Sequence, residues 1–269
     1  MYKIGWFSSG RGEGSRNLLT TVQQNIAEGN IEAGIDFVFL NRERGQSEAT
    51  DQFLDLVDSH GIPLICFSSR KFREQRCADA TGDWRLEYDR QVMERLKGFD
   101  PDICVLAGYM LIVGREMCQH FTMINLHPAA PGGPAGTWRE VIWKLIAGQA
   151  SETGVMMHLV TPELDEGPPV TYCKFPIRGT LYDRYWKDIE GHPVAELIAN
   201  QGDENPLFSL IRKEGVKREL PLIVATIKAF SEGRIRIDGG VVVDAGGKPV
   251  EGYSLTAEID SILDSSPRD

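Results

Sequence analysis

Short apolar runs alternate with longer amphipathic stretches along most of this chain, and that alternation limits the folds open to it. The apolar runs predict strands over Lys3–Ser8, Ile35–Leu40, Pro63–Phe67, Ile103–Ala107, Met123–Leu126, Val155–Val160 and Val170–Pro176. Between and after them, helical spacing predicts helices over Ser15–Glu28, Ala49–His60, Asp83–Lys97, Thr137–Ala147, Pro193–Asn200 and Pro206–Glu232, the last broken near Gly215 and resuming at Lys217. Strands that are apolar almost throughout, and not at every second residue, are buried on both faces. The expected class is therefore α/β: a mostly parallel, twisted sheet with helices on both faces, a C-terminal helix and a short β extension. The stretch 83–97 illustrates the period. Leu86, Tyr88, Val92, Met93 and Leu96 fall close to one stripe, with charges between them.

Ligands in such sheets bind beyond the carboxyl ends of the strands. Four segments follow predicted strands and are expected there: Gly10–Gly14, Gly108–Met110, Asn125–His127 and Thr161–Gly167. Asn125 and His127 stand two apart at a strand end, so both side chains point to one side. An amide can donate to a developing oxyanion, and an imidazole can carry a proton near neutral pH. Forty positions after Asn125, Asp165 lies in Leu164-Asp165-Glu166-Gly167-Pro168. By itself this is a polar turn with a Gly-Pro breaker. Paired with His127, its carboxylate would favour the protonated ring and so let it take and return a proton. His158, in the strand before it, is expected to support the site from within the structure. In Ser9-Gly10-Arg11-Gly12-Glu13-Gly14-Ser15-Arg16-Asn17-Leu18, glycines precede a helix start. Backbone N–H groups and the helix dipole there favour an anion.

The composition excludes several classes. A net charge of −10 without a basic block argues against a nucleic-acid partner, because phosphate neutralisation needs clustered Lys and Arg. The five cysteines, Cys66, Cys77, Cys104, Cys118 and Cys173, form no C-x-x-C pair and are odd in number. That argues against zinc ribbons and disulfide scaffolds, and no metal-ligand cluster is visible. Cys66, Cys104 and Cys173 sit in apolar runs and are expected to be buried thiols in a reducing compartment. Met1–Gly10 reads as a first strand and not as a signal peptide, and no stretch is apolar enough for a membrane span. The expectation is a cytoplasmic protein, a monomer or homodimer, with residues 1–269 in one domain and a frayed tail from Ser265. The polar segment 179–205 is the expected insertion, followed by a C-terminal helix and extension over 206–269.

The Asn125-Leu126-His127-Pro128 motif, the Leu164–Pro168 loop and the preceding Thr153–Thr161 stretch resemble the formyltransferases that use 10-formyltetrahydrofolate. The similarity runs from the first strand to Gly252-Tyr253. It implies that Asn125, His127 and Asp165 are the catalytic group. It implies a folate pocket walled by Met110, Leu111, Ile112 and Val113 and by Thr161, Pro162, Glu163 and Leu164. It also implies a phosphorylated amine as acceptor, as in the branch that formylates glycinamide ribonucleotide for purine synthesis. On this reading Gly14, Ser15 and Asn17 contact the phosphate with help from Arg16, Glu219 contacts the ribose, and no metal takes part. The chain departs from the pattern in four places. Leu111 stands where many relatives have Arg, and Ala129–Gly136 replaces S-L-L-P. The Gly-rich loop and segment 179–205 are both longer than usual.

Two other readings compete. A formyltransferase for another amine, such as an amino-sugar nucleotide, fits the same catalytic group. A NAD(P)-binding oxidoreductase is suggested by Gly10-x-Gly12. Against it, Ser15 replaces the third glycine, and Asn41, not an acid, ends the second strand, although Glu43 is near.

Overall fold

The computed structural model describes residues 1–76 and 84–265, so Cys77 and residues 266–269 lie outside the described residues. Among the described residues ten strands are formed: β1 (Tyr2–Ser8), β2 (Ala33–Leu40), β3 (Leu64–Cys66), β4 (Ile103–Leu106), β5 (Met123–His127), β6 (Glu152–Leu159), β7 (Pro169–Pro176), β8 (Ile235–Asp238), β9 (Val241–Asp244) and β10 (Tyr253–Ser254). The larger helices are α1 (Glu13–Ala27), α2 (Glu48–Ser59), α4 (Trp84–Arg95), α6 (Trp138–Ala147), α9 (Pro206–Ser231) and α10 (Thr256–Ser265). Between them lie the shorter α3 (Ser69–Arg76), α5 (Arg115–His120), α7 (Asp183–Asp188) and α8 (Val194–Asn200). The expected strands all form. The helices α3, α5, α7 and α10 were not expected from the sequence.

The main sheet has eight strands in the order β10-β7-β6-β5-β4-β1-β2-β3, and β8 and β9 make a separate hairpin. Successive strand residues fall to opposite faces. Ile4, Trp6, Val38, Leu40, Ile103 and Val105 join one core with α1, α2 and α9. Phe7, Phe37, Phe39, Cys104 and Leu106 join the other with α3, α4 and α5. Both faces are therefore covered, as the apolar runs required.

Strands β1 to β5 are parallel, but β6 runs antiparallel to both β5 and β7. This corrects the expectation that the Asn125 and Asp165 segments leave from the same sheet edge. Leu159, the last residue of β6, lies opposite Ile124, near the start of β5. An apolar run reads the same in either direction, so nothing in its pattern announces the reversal. The loop after β6 reaches the site by folding back. Leu159 N–H donates to the Pro168 carbonyl at 2.9 Å, and Gly167 passes so close that a Cβ there would stand 1.7 Å from the Leu159 oxygen. Only glycine fits that approach.

A second correction concerns α9. The expected break near Gly215 is absent, and the helix runs 26 residues through both Gly215 and Pro221. An interior glycine costs about 1 kcal/mol and a proline about 3 kcal/mol against alanine. Buried contacts from Leu207, Phe208, Ile211, Leu222, Ile223, Ile227 and Phe230 offset that local cost. Segment 179–205 is not an open polar loop. It carries α7 and α8, and Tyr182, Trp186 and Leu197 bury against Ile142, Ile146 and Phe208 of α6 and α9.

The described thiols are free: Cys104 and Cys173 are buried, while Cys66 and Cys118 are half-buried. Burial pushes the Cys66 thiol up to about 11, with help from Glu43 and Asp58. Among the described residues, no helix is long and apolar enough to cross a membrane.

Candidate active site

One cavity of about 550 Å³ opens beside the ends of β4 and β5, lined also by α1, α6 and α9, a size suited to a small-molecule site. Its lining comes from places distant in sequence, including Gly136–Trp138 and Glu140 around the start of α6, and Arg212 and Glu219 of α9. Gly14, Ser15 and Leu18 come from α1, and Gly108–Val113 follow β4. Asn125, His127 and His158 come from β5 and β6, and Thr161, Glu163, Leu164 and Asp165 from the following loop.

Asn125 and His158 are cross-strand partners, so their side chains rise from the same face. Asn125 Nδ2 and His158 Nε2 are 3.1 Å apart. His158 Nδ1 lies 3.0 Å from the Leu159 carbonyl. A carbonyl can only accept, so Nδ1 carries the ring proton and Nε2 accepts from the Asn125 amide. Burial lowers the pKa of His158 from its ordinary value, outweighing the Leu159 carbonyl. A neutral ring is what this arrangement requires. It fixes Asn125 with its nitrogen toward His158 and leaves the second amide N–H for another acceptor.

His127 is buried, with Nε2 3.1 Å from the Pro134 carbonyl. That contact puts a proton on Nε2 and turns Nδ1 toward Asp165 Oδ1, 3.8 Å away. This is ion-pair range for a protonated ring but longer than a direct hydrogen bond. Asp165 Oδ1 is also 3.7 Å from His158 Nε2, and its Oδ2 accepts from Gly136 N–H at 3.2 Å. Asp165 holds a left-handed backbone, φ 57°, a conformation that aspartate tolerates better than most residues. Pro134 and Gly136 belong to the segment replacing S-L-L-P, so the departure from the pattern grips both members of the pair.

Met110, Leu111, Ile112 and Val113 all line the cavity, as do Thr161, Glu163 and Leu164; Pro162 does not. Met110 and Leu164 are among the most exposed large apolar side chains of the described residues, at 55% and 56%. Met110 N–H donates to Ser9 Oγ at 3.0 Å, tying this wall to the loop after β1.

The Gly-rich segment needs a third correction. The helix begins at Glu13, two residues before the expected Ser15, with extended Gly12 at its cap position, so Gly14 joins Ser15–Asn17 in its first turns. At about 100° per residue, Gly14, Ser15 and Leu18 face the cavity while Arg16 and Asn17 turn away. Asn17 is exposed, and Arg16 Nη1 is buried without a hydrogen-bond partner. Glu219 does reach the cavity, and it brings a group that sequence reasoning missed. Arg212 Nη1 is 2.6 Å from Glu219 Oε1, and Arg212 lies over the Trp138 ring at 4.7 Å. The capping box of Thr137 and Glu140 that starts α6 was readable as T-x-x-E. Arg212 left no comparable signal, since only packing of α9 against α6 brings it here.

A doubly covered sheet with an amide, two imidazoles and a carboxylate around one open cavity defines an enzyme of acid–base group transfer. Residues 7–183 match the family model described as formyl transferase, more than half the chain, and the chain belongs to that family of formyl-transferring enzymes. It is similar to the phosphoribosylglycinamide formyltransferase of Escherichia coli, at 26% identity over 84% of this chain and 93% of the relative. The same enzyme of Haemophilus influenzae is 26% identical over 94% of this chain and 99% of the relative. Among solved structures, the phosphoribosylglycinamide formyltransferase of Coxiella burnetii shares the fold, with a TM-score of 0.65 at 18% identity, covering 94% of this chain and 98% of that one. Glycinamide ribonucleotide transformylase 1 of Symbiobacterium toebii gives 0.63 at 22%, covering 91% and 94%. The family assignment sets aside the oxidoreductase reading. Glu43 is itself engaged, by Lys71 and Ser68 N–H.

Proposed function

We propose that this enzyme transfers the formyl group of 10-formyltetrahydrofolate to the primary amine of glycinamide ribonucleotide, in the cytoplasm, as a step of purine synthesis. The observation that carries the reading is the convergence of Asn125, His127, His158 and Asp165 on one cavity. The names of the full-length relatives supply the acceptor.

The folate ring lies against Met110–Val113 and the 161–164 loop, where exposed backbone groups serve a flat heterocycle. The acceptor amine attacks the formyl carbon, and the carbonyl electrons move to oxygen. The free N–H of Asn125 donates to that oxyanion; such a donor is commonly worth about 100- to 1000-fold in rate. The attacking nitrogen loses a proton through His127, and the departing folate nitrogen gains one as its bond to carbon breaks. Asp165 balances the charge of the imidazolium while it exists. No metal is required for this sequence. Ser15 and the first-turn N–H groups of α1 receive the phosphate, and Glu219 the ribose.

The test follows loss of the formyl donor with glycinamide ribonucleotide present, and identifies the product. Formylated ribonucleotide in amounts equal to the donor consumed is the expected result. Formate without formylated amine would mean hydrolysis, and efficient transfer to an amino-sugar nucleotide alone would overturn the acceptor.

A further inference from the structure

Three side chains build one wall of the cavity: Trp138 at the start of α6, and Arg212 and Glu219 two turns apart on α9; only Glu219 is singled out by the sequence. Residues seven apart on a helix share a face. Arg212 spans the interval, with Nη1 2.6 Å from Glu219 Oε1 and its guanidinium carbon 4.7 Å from the Trp138 ring centre. Trp138 is braced from behind by Phe208, at 5.9 Å between ring centres. Phe208 is buried and lies one turn before Arg212, so the stack is held by the core and not by solvent. The pair is partly withdrawn from water, with 30% of the Arg212 side chain and 17% of the Glu219 side chain exposed.

The chemistry of this wall is specific. The ion pair cancels its own charge, so it does not recommend itself to a second phosphate. One carboxylate oxygen is tied to the guanidinium. Among the described residues the other, Oε2, has no hydrogen-bond partner. A planar guanidinium is fixed in orientation by stacking on an indole in a way that an ammonium is not. The result is an aimed acceptor beside an aromatic face, a combination that suits an uncharged, hydroxyl-bearing ring.

We propose that Arg212 and Trp138 are positioning residues for acceptor specificity: they hold Glu219 so that Oε2 receives the hydroxyls of the sugar ring between the reactive amine and the phosphate. This rests on the acceptor proposed above, and deepens it by naming what selects the sugar. Glu219 touches the substrate; Arg212 and Trp138 act through it.

The experiment measures KM for glycinamide ribonucleotide and for 10-formyltetrahydrofolate with Arg212→Met, Arg212→Lys and Trp138→Leu. For Arg212→Met the acceptor KM should rise about tenfold or more, the loss expected for a misplaced hydrogen bond to a charged group, while the donor KM moves less than about twofold. Arg212→Lys should recover part of the loss, because it keeps the charge but not the stack. Trp138→Leu should resemble Arg212→Lys. Equal rises in both KM values, or an unmoved acceptor KM with a normal melting temperature, would overturn the assignment and leave formyl transfer intact. If the unaltered enzyme does not formylate glycinamide ribonucleotide, the acceptor reading fails. Calorimetry with D-ribose 5-phosphate then decides the wall alone. Binding that Arg212→Met weakens about tenfold supports it, and binding that is absent or equal in both proteins overturns it.

Discussion

The two strands β5 and β6 and the first turn of α1 both face the cavity, and they differ in how their polar groups are engaged. Asn125, His127 and His158 rise from paired strands, and each has a named partner within 3.1 Å. Gly14 and Ser15 sit at a helix start capped by Gly12, which has no side chain to accept the first-turn N–H groups. A pre-set amide and imidazole suit the place where charge develops, because no reorganisation is then needed as the reaction proceeds. A helix start with N–H groups left free by its cap suits a remote anion, whose binding adds affinity without taking part in the chemistry. The contrast predicts that changes on the strands lower kcat and changes on α1 raise KM.

The largest expected effect is on Asn125. Asn125→Ala should lower kcat by about 100- to 1000-fold with little change in either KM, as removal of one oxyanion donor does. Single-turnover measurement of formyl transfer checks it. A change confined to KM would break the comparison, because it would make Asn125 a binding residue like those of α1. His127→Ala should lower kcat by about 100-fold, the lower value for a positioned acid–base group.

Next comes Gly167→Ala. A methyl group would meet the Leu159 carbonyl at 1.7 Å, so the Asp165 loop must shift or the strand end must open. A destabilisation of about 3 kcal/mol is expected, in the upper range for single substitutions, together with a fall in kcat. A chemical denaturation curve measures the first. If stability drops while kcat holds, Asp165 does not depend on this closure.

Ser15→Ala tests the other side. Loss of one hydroxyl contact to a phosphate should raise the acceptor KM by about tenfold, near the lower value for a hydrogen bond to a charged group. Asn17→Ala, on the outer face of α1, should raise it less. An equal rise for both would mean that the helix start rearranges on binding.

The same contrast decided what could be read in the sequence. Asn125 and His127 were legible because a strand alternates strictly, so two residues two apart must share a face. The wall proposed for folate follows a strand end, and Met110–Val113 all reach the cavity. Arg16 and Asn17 were expected in a helix, but only its seat on the sheet decides which residues face inward: Gly14, Ser15 and Leu18 line the cavity, and Arg16 and Asn17 are not among its lining residues. The reversal of β6 left no mark in its apolar run. Arg212 is 74 positions from Trp138, and only the burial of α9 against α6 makes them neighbours. The unbroken α9 belongs with these: Gly215 and Pro221 are strong local signals, and tertiary packing overrides both.

The smallest predicted effect is on stability against pH, and it isolates the strand side of the comparison. In the folded protein burial holds the pKa of His158 below its ordinary value, only partly countered by its bond to the Leu159 carbonyl. In the unfolded chain the same ring titrates near 6.5, or about that. Between those two values the unfolded state binds a proton that the native state refuses. Stability from this group is therefore complete above about pH 6.5 and is lost as pH falls below it, at a rate of at most about 1.4 kcal/mol per pH unit for one proton. Asp165 and His127 face the same ring, at 3.7 Å from its Nε2 and 5.8 Å between ring centres, so both are left in place. Thermal midpoints at pH 7.5, 6.5 and 5.5 should fall more steeply for the unaltered protein than for His158→Gln, which has no ring to protonate. Parallel curves would mean that His158 takes up its proton in the folded state without penalty. Asn125 would then lose its acceptor at low pH while the strands stayed intact, and the activity would fall at a pH where the stability does not.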